Sequence, residues 1–363
     1  MSLRCLWRGE ARHLGKRYFR ILNMVLFCAW VWTGNVQAES IESLEPINLG
    51  QVKQWIYVTG KNTGKPVLLI LHGGPGEAIL PMFHHFNREL EKYFIVVTWD
   101  QRGAGKSYSK SISPKTMTLQ QFVSDAHELT TKLKKRFKQR KIYILAHSSG
   151  TMIAIPLIKK YPNDYYAYIG VGQVISFAKN EIGSYNYALQ KARATNNKEA
   201  LQELENVGKP DAAGNYNDDS GYDITSKWIE NFGAEIHDPE KCSNYDTFIY
   251  TSDIYKSKIE TAKRKQGIIF SDKLFDDPHM KKFDANQLAP EISVPVYFIS
   301  GKYDHDTPIE LVKKYYAEVK SPHKAFIEFD HSAHNPFYEE PEHFDQVLID
   351  RVLAETYQQK IRG

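Results

Sequence analysis

Hydrophobic residues along this chain gather in short unbroken runs, separated by longer stretches in which apolar positions recur every three or four residues. The runs fall at 66–71 (PVLLIL), 94–99 (FIVVTW), 141–146 (KIYILA), 166–171, 295–300 (PVYFIS) and 325–329, with an earlier one at 54–58. Each has strand length, and continuous Val/Ile/Leu character predicts strands covered on both faces, as in a parallel sheet. Helical spacing is found between them, at 119–137, 151–161, 309–320 and 341–358. Alternation of this kind predicts a doubly wound α/β fold with a mostly parallel sheet.

The alternation stops at about residue 177 and resumes near 288. Residues 181–207 are polar and helix-rich, 208–222 are loop-like, and shorter helical pieces follow around Trp228 and Tyr255. A stretch this long is too large for a structureless loop and predicts an inserted helical cap. The expected organisation is a leader at 1–38, a first core part at 39–176, the cap at 177–288 and a second core part at 289–363. No internal repeat or low-complexity tract is visible.

Composition is that of a globular protein, 42% hydrophobic and 25% charged, which excludes disordered, collagenous and coiled-coil classes. The net charge of +4 changes the picture only through its location. Residues 1–38 carry Arg4, Arg8, Arg12, Lys16, Arg17 and Arg20 against the single acid Glu10. Without that excess the body is nearly neutral and offers no broad field for nucleic acid or anionic lipid. The basic run from Lys132 to Lys141 closes a predicted helix, where cations complement the dipole.

The leader has the order of an export signal: basic residues to Arg20, an apolar run over 21–32, then Val36-Gln37-Ala38 as a cleavage site. The apolar run is shorter than the ~20 residues needed to span a bilayer. The expectation is an exported, periplasmic or secreted protein with no stable membrane association once the signal is cleaved; the rival is an uncleaved anchor. Cleavage would remove Cys5 and Cys28 and leave Cys242 alone, so no internal disulfide is expected.

Candidate chemistry sits at the strand ends. After the strand ending at Ala146 comes His147-Ser148-Ser149-Gly150-Thr151 and then a helix. Strand, sharp turn and helix around a small-x-Ser-x-Gly pattern lift a serine hydroxyl above a sheet, and spacing selects Ser148 as nucleophile. The strand at 66–71 runs into His72-Gly73-Gly74-Pro75-Gly76, whose glycines allow positive φ and close backbone approach. The amides of Gly74 and Ser149 are the candidate oxyanion donors. Asp304, with Asp306 in reserve, and His334, with His331 in reserve, each follow later strands. The order Ser, Asp, His is the one expected of a hydrolase on such a sheet. Asp100 and Arg102 are expected to brace loops. Gly103-Ala104-Gly105-Lys106-Ser107 lacks the first glycine of a phosphate loop, and no ligand-spaced His or Cys pair predicts a metal or other cofactor.

His72 to Gly76, the run Trp99-Asp100-Gln101-Arg102-Gly103-Ala104-Gly105-Lys106-Ser107, Gly301-Lys302-Tyr303-Asp304 and the segment 332–341 (SAHNPFYEEP) resemble the proline iminopeptidase branch of the α/β-hydrolase fold. The resemblance covers the core and not the cap. It implies a metal-independent serine aminopeptidase that releases N-terminal residues, often proline, and a cis Gly74–Pro75 bond. Ser149 stands where that branch usually has Trp, and Ala146 and Ala333 stand for glycines. An aminopeptidase must hold a cationic amine, for which Glu181 is the candidate in the cap, with Glu230 a second. Trp228 is the candidate apolar wall, with Tyr185, Tyr187, Phe232, Tyr245, Phe248 and Tyr250. The expected substrate is a small peptide, ester or amide. Alternatives are an esterase or amidase for neutral acyl groups, or a non-catalytic binding protein on the same fold; oligomeric state is left open.

Overall fold

The computed structural model describes residues 39–357. The expected leader, with its cleavage site, and the last residues from 358 lie outside the described residues. Among the described residues no helix is long and apolar enough to cross a membrane.

Eight strands form one sheet in the order β1-β2-β4-β3-β5-β6-β7-β8. These are β1 (Ile41–Leu49), β2 (Val52–Gly60), β3 (Val67–Leu71), β4 (Ile95–Asp100), β5 (Ile142–His147), β6 (Tyr165–Val171), β7 (Val296–Gly301) and β8 (Lys324–Phe329). From β4 to β8 every neighbouring pair is parallel; β1 and β2 are antiparallel additions at one edge. Side chains of a strand point alternately to opposite faces. Val67, Leu69 and Leu71 therefore enter one hydrophobic cluster, and Leu68 and Ile70 the other. β4 and β5 divide in the same way, with Ile144 and Ala146 on one face and Tyr143 and Leu145 on the other. Helices α1 (Leu80–Phe86), α2 (Leu119–Arg136) and α3 (Ser149–Lys160) supply the covering layers.

β1 does not stand out as an apolar run, because IESLEPINL alternates and contains Pro46. It forms by pairing with β2 through a tight turn in which Gly50 and Gln51 both have positive φ, +51° and +64°. That is the conformation which fits a two-residue hairpin to twisted strands. A Cβ on Gly50 would lie 2.2 Å from Asp125 Oδ1, so only glycine admits the network beneath it. There the guanidinium of Arg102 donates to both carboxylate oxygens of Asp125 at 2.8 and 3.1 Å and to the carbonyl of Gly50 at 3.0 Å. Gln54 donates to Asp125 as well. This fully buried pair ties the hairpin, α2 and the loop after β4 together, the bracing role expected of Arg102.

Between β6 and β7 the chain is helical: α4 (Phe177–Ala194), α5 (Lys198–Val207), α6 (Ser220–Asn231), α7 (Pro239–Thr251) and α8 (Lys258–Ser271), followed by shorter turns. The helix-rich stretch expected over 181–207 consists of α4 and α5, separated where Asn196 adopts φ +51° and Asn197 caps α5. α4, α5 and α6 bury a separate small core of Tyr185, Leu204, Trp228 and Ile229. After β7 come α9 (Ile309–Glu318), β8 and, as the sequence predicts, an unbroken helical run to the last described residue: α10 (Pro341–Val347), a wider-wound segment (Leu348–Leu353) and a final turn (Ala354–Tyr357).

Replacing Arg102 by Ala would strand a buried carboxylate. The expected cost is about 3–5 kcal/mol, read from denaturant unfolding of the purified protein. A loss below ~1 kcal/mol would show that Asp125 is satisfied without it.

Candidate active site

The strand order reverses between β3 and β5: from β3 the chain passes to β4 on one side and then to β5 on the other. At such a switch point the loops leaving the carboxyl ends diverge and leave a crevice. The loop after β3 carries His72 to Gly76, and the turn after β5 carries Ser148.

Ser148 has φ +51° and ψ −130°, a conformation that costs a non-glycine residue about 1–3 kcal/mol and needs its surroundings to hold it. Its amide donates to the carbonyl of Val171 at 3.0 Å, and its carbonyl accepts from the amide of Thr151 at 2.8 Å. Two glycines let the turn close. A Cβ on Gly150 would lie 2.6 Å from the carbonyl oxygen of His72, and one on Gly73 would lie 2.6 Å from the Cβ of Ser148. The hydroxyl of Ser148 does not cap α3, although it occupies the capping position. Ser149 opens the helix, where first-turn amides have no acceptor within the helix and the dipole is positive.

The facing loop is equally constrained. Gly74 has φ +108° and the Gly74–Pro75 bond is cis. His72 is pinned as a neutral ring: Nδ1 donates to the carbonyl of Gly73 at 2.8 Å, and Nε2 accepts from the amide of Gln101 at 3.2 Å. Burial pushes its pKa down to about 4. Asp100 takes the Tyr255 hydroxyl and the Lys106 amide, each at 2.7 Å, and braces this region from below. The cap closes over the loop through α8. A Cβ on Gly76 would strike Ser271, and buried Arg264 donates to the carbonyl of Ala78 at 3.3 Å.

Asp304, in the loop after β7, is fully buried and accepts three hydrogen bonds. They come from the Thr307 amide at 2.8 Å, the Thr307 hydroxyl at 2.7 Å and Nδ1 of His334 at 3.0 Å. His334 follows β8, packs its ring 4.6 Å from that of His147, and accepts at its carbonyl from His147 Nε2 at 3.0 Å. Gly172 leaves the space for its imidazole, since a Cβ there would lie 2.6 Å from Cε1. Because Gly172 follows Val171, the partner of the Ser148 amide, serine and histidine flank the same turn. Nε2 of His334 is buried and makes no hydrogen bond, to Ser148 or to any other described residue; Asp306 Oδ2 lies 3.2 Å from it.

Carboxylates crowd this ring. Burial by itself would lower the pKa of His334, but Asp304, Asp306 and Glu235 outweigh it and push it up to about 10. Glu181 is pushed up to about 8 by burial and by Asp306. Glu235 is pushed up to about 8 by burial, Asp306 and Glu77. Hydrogen bonds stitch the groups together. The carbonyl of Glu235 accepts from the His334 amide at 2.9 Å, and the carbonyl of Asp306 accepts from Asn180 of α4 at 2.7 Å, one residue before Glu181.

The remaining candidates separate cleanly. His331 is exposed and lies apart from the cluster. Glu230 is exposed. Trp228 is not a wall of the site: its indole donates to Glu203 at 2.8 Å and its ring is buried in the cap's own core with Leu204 and Ile229. Tyr185 and Phe232 join it there, Tyr187 stacks on His305, Tyr245 and Phe248 pack on Tyr338 and Phe86, and Tyr250 carries the guanidinium of Arg264. Thr307, Gly172, Glu235 and Glu77 belong to the site and escape a reading from sequence. For Thr307 a signal exists, a hydroxyl three residues after Asp304; Glu235 has none. Among the described residues no group of three or more His, Cys, Asp or Glu is arranged to hold a metal ion.

The model of the alpha/beta hydrolase fold family matches residues 66–341, and the chain belongs to that family. It is 33% identical over 314 residues to the probable aminopeptidase YbaC of Bacillus subtilis, covering 86% of this chain and 96% of that protein. It is 25% identical to the proline iminopeptidase of Heyndrickxia coagulans, over 80% and 91% of the two chains. Among solved structures, proline iminopeptidase of Mycobacterium smegmatis superposes with a TM-score of 0.59 at 17% identity, covering 88% of this chain and 99% of that one. A thermophilic esterase from Thermogutta terrifontis has the same fold, with a TM-score of 0.57 at 18% identity over 86% and 99% of the chains. The protein is thus a hydrolase with aminopeptidase-named relatives.

A Gly172→Ala variant tests the packing at the ring. The methyl group meets His334 and the backbone keeps φ +52°, so the expected loss is about 1–3 kcal/mol in thermal or denaturant unfolding. An unchanged melting temperature would mean that the ring is not held against this turn.

Proposed function

We propose that the protein is a serine aminopeptidase acting through Ser148, His334 and Asp304. The observations that support this reading are a serine of positive φ that caps nothing and a buried His334–Asp304 pair whose ring packs on Gly172, beside the Val171 carbonyl that takes the Ser148 amide. In the proposed reaction Ser148 Oγ attacks the carbonyl while Nε2 of His334 takes its proton, and Asp304 stabilises the imidazolium from the Nδ1 side. The amides of Gly74 and Ser149 hold the oxyanion. His334 then protonates the leaving amine, and water activated by the same nitrogen releases the acyl group from Ser148.

The exopeptidase character rests on the carboxylates. A cationic N-terminus is stabilised by partly buried acids with little competing positive charge. Glu181 and Glu235, on the cap side of His334, meet that description. The relatives named as aminopeptidases support it. Proline as the released residue is the finer part of the proposal and draws on the resemblance to proline iminopeptidases. The basic and apolar leader supports export as the setting.

The test pairs free-amine aminoacyl anilides, proline included, with the same residues N-blocked and with short-chain esters. Ser148→Ala is expected to lower kcat/KM by roughly four orders of magnitude or more. Glu181→Gln and Glu235→Gln are each expected to cost about 10- to 100-fold on free-amine substrates and little on esters. Preference for esters or blocked substrates, unaffected by these glutamines, would make the enzyme an esterase or amidase for neutral acyl groups. The pH profile follows from the same groups. Activity on free amines rises toward about pH 8 as Glu181 and Glu235 ionise. It falls again as the substrate amine, with an ordinary pKa of ~8, loses its proton. In the two glutamine variants the rising limb should lose the corresponding contribution.

A further inference from the structure

The loop after β7 presents two carboxylates, two residues apart, to opposite nitrogens of one imidazole. Asp304 Oδ2 lies 3.0 Å from Nδ1 of His334 and Asp306 Oδ2 lies 3.2 Å from Nε2. The two acids are held very differently. Asp304 is fully buried and fixed by three donors. The side chain of Asp306 is 36% exposed, and its carboxylate accepts no hydrogen bond among the described residues. Only its backbone is anchored, through Asn180 and Ser184 of α4.

A base needs an unprotonated Nε2. With Asp304 and Asp306 carboxylates 3.0 and 3.2 Å from its two nitrogens, the ring is stabilised as an imidazolium, and its pKa is raised above the ordinary imidazole value. The groups facing the ring do not relieve this. Asp304 and Asp306 come from its partner loop, Glu235 from the turn after α6, and Glu77 from the loop after β3; Glu181 of α4 acts through Asp306. His147 is kept neutral by burial, and Arg264 faces Glu77. Something must draw Asp306 away from Nε2 before the ring can serve Ser148.

We infer that Asp306 is a specificity gate: it clamps Nε2 of His334 in the free enzyme, and the ammonium group of a substrate takes Asp306 in its place and frees that nitrogen. This rests on the reading of Ser148 and His334 as nucleophile and base. An ammonium offers two or three N–H donors to a carboxylate that has none, and Glu181 and Glu235 supply further acceptors beside it. Its positive charge also opposes that of the imidazolium. The proton on Nε2 passes to solvent, one N–H bond breaking and no other covalent change occurring, and the lone pair so exposed accepts the Ser148 proton. A substrate with a blocked or absent amine leaves the clamp closed. Discrimination therefore enters through kcat as well as through binding.

The experiment compares wild type and Asp306→Asn on a free-amine aminoacyl anilide and on a neutral short-chain ester across pH, with ¹⁵N-histidine NMR of the same proteins and His334→Gln to assign the ring. The variant is expected to hydrolyse the ester at least tenfold faster at pH 7, with the acid limb at least one pH unit lower, and the free-amine anilide at least tenfold more slowly. In the NMR titration the His334 pKa is expected to fall in the variant. Added n-butylamine should lower it in wild type and not in the variant. Equal slowing of both substrates with an unmoved acid limb would reduce Asp306 to loop support and overturn the gate. So would a wild-type His334 resonance that n-butylamine does not move, a readout that stands even if the variant folds poorly. If Ser148→Ala leaves either activity intact, the nucleophile reading has failed instead, and the NMR titration still decides the clamp.

Discussion

The turn at Ser148 exists because a strand, a helix and two neighbouring loops pass within contact distance of it with no side chain in between. Gly150 brings α3 against the carbonyls of Leu71 and His72, Gly73 makes room for the serine Cβ, and Gly172 makes room for the imidazole of His334. A methyl group at any of the three would enter space already filled. The left-handed backbone of Ser148 is a consequence of this packing, and its cost is spread over the sheet that holds the strand ends in place. The buried Arg102–Asp125 pair serves the same end from a distance, tying the edge hairpin to the loop whose Gln101 pins His72.

Electrostatics then decides what the geometry can do. A single buried histidine faces Asp304 and Asp306 directly and lies within the field of Glu235, Glu77 and Glu181. Such a cluster favours the protonated ring and suits a cation, which relieves the repulsion among the acids. On the proposed reading of His334 as base, the arrangement links substrate charge to the protonation state of its ring. The cap is central to that link: α4 anchors the loop of Asp306, and the turn carrying Glu235 accepts a hydrogen bond from the amide of His334.

How much of this was legible in the sequence follows from the range of each interaction. The core strands were visible because burial on both faces leaves continuous apolar runs. Ser148, Asp304 and His334 could each be placed after such a run, and the last two are hydrogen-bonded to each other. β1 was hidden, since an edge strand alternates and tolerates Pro46. The cap was read only coarsely. Whether an acid there turns inward is set by contacts more than 50 residues away in sequence, so exposed Glu230 and part-buried Glu235 look alike in the chain. Trp228 misled for the same reason: a large aromatic in a helical insertion fills the insertion's own core as readily as a substrate wall. Asp306 was legible as a carboxylate near the site, but its place on Nε2 instead of Nδ1 depends on the path of the loop between Asp304 and Thr307.

The central claim is that Ser148 is the activated nucleophile of this crevice. The most direct measurement is labelling of the purified protein with a fluorophosphonate, followed by mass spectrometry of its peptides. The account predicts one phosphonyl adduct, on Ser148, that disappears in Ser148→Ala. An adduct on Ser149 or another residue, or no adduct in either folded wild type or folded Asp306→Asn, whose ring is free of the carboxylate, would contradict it.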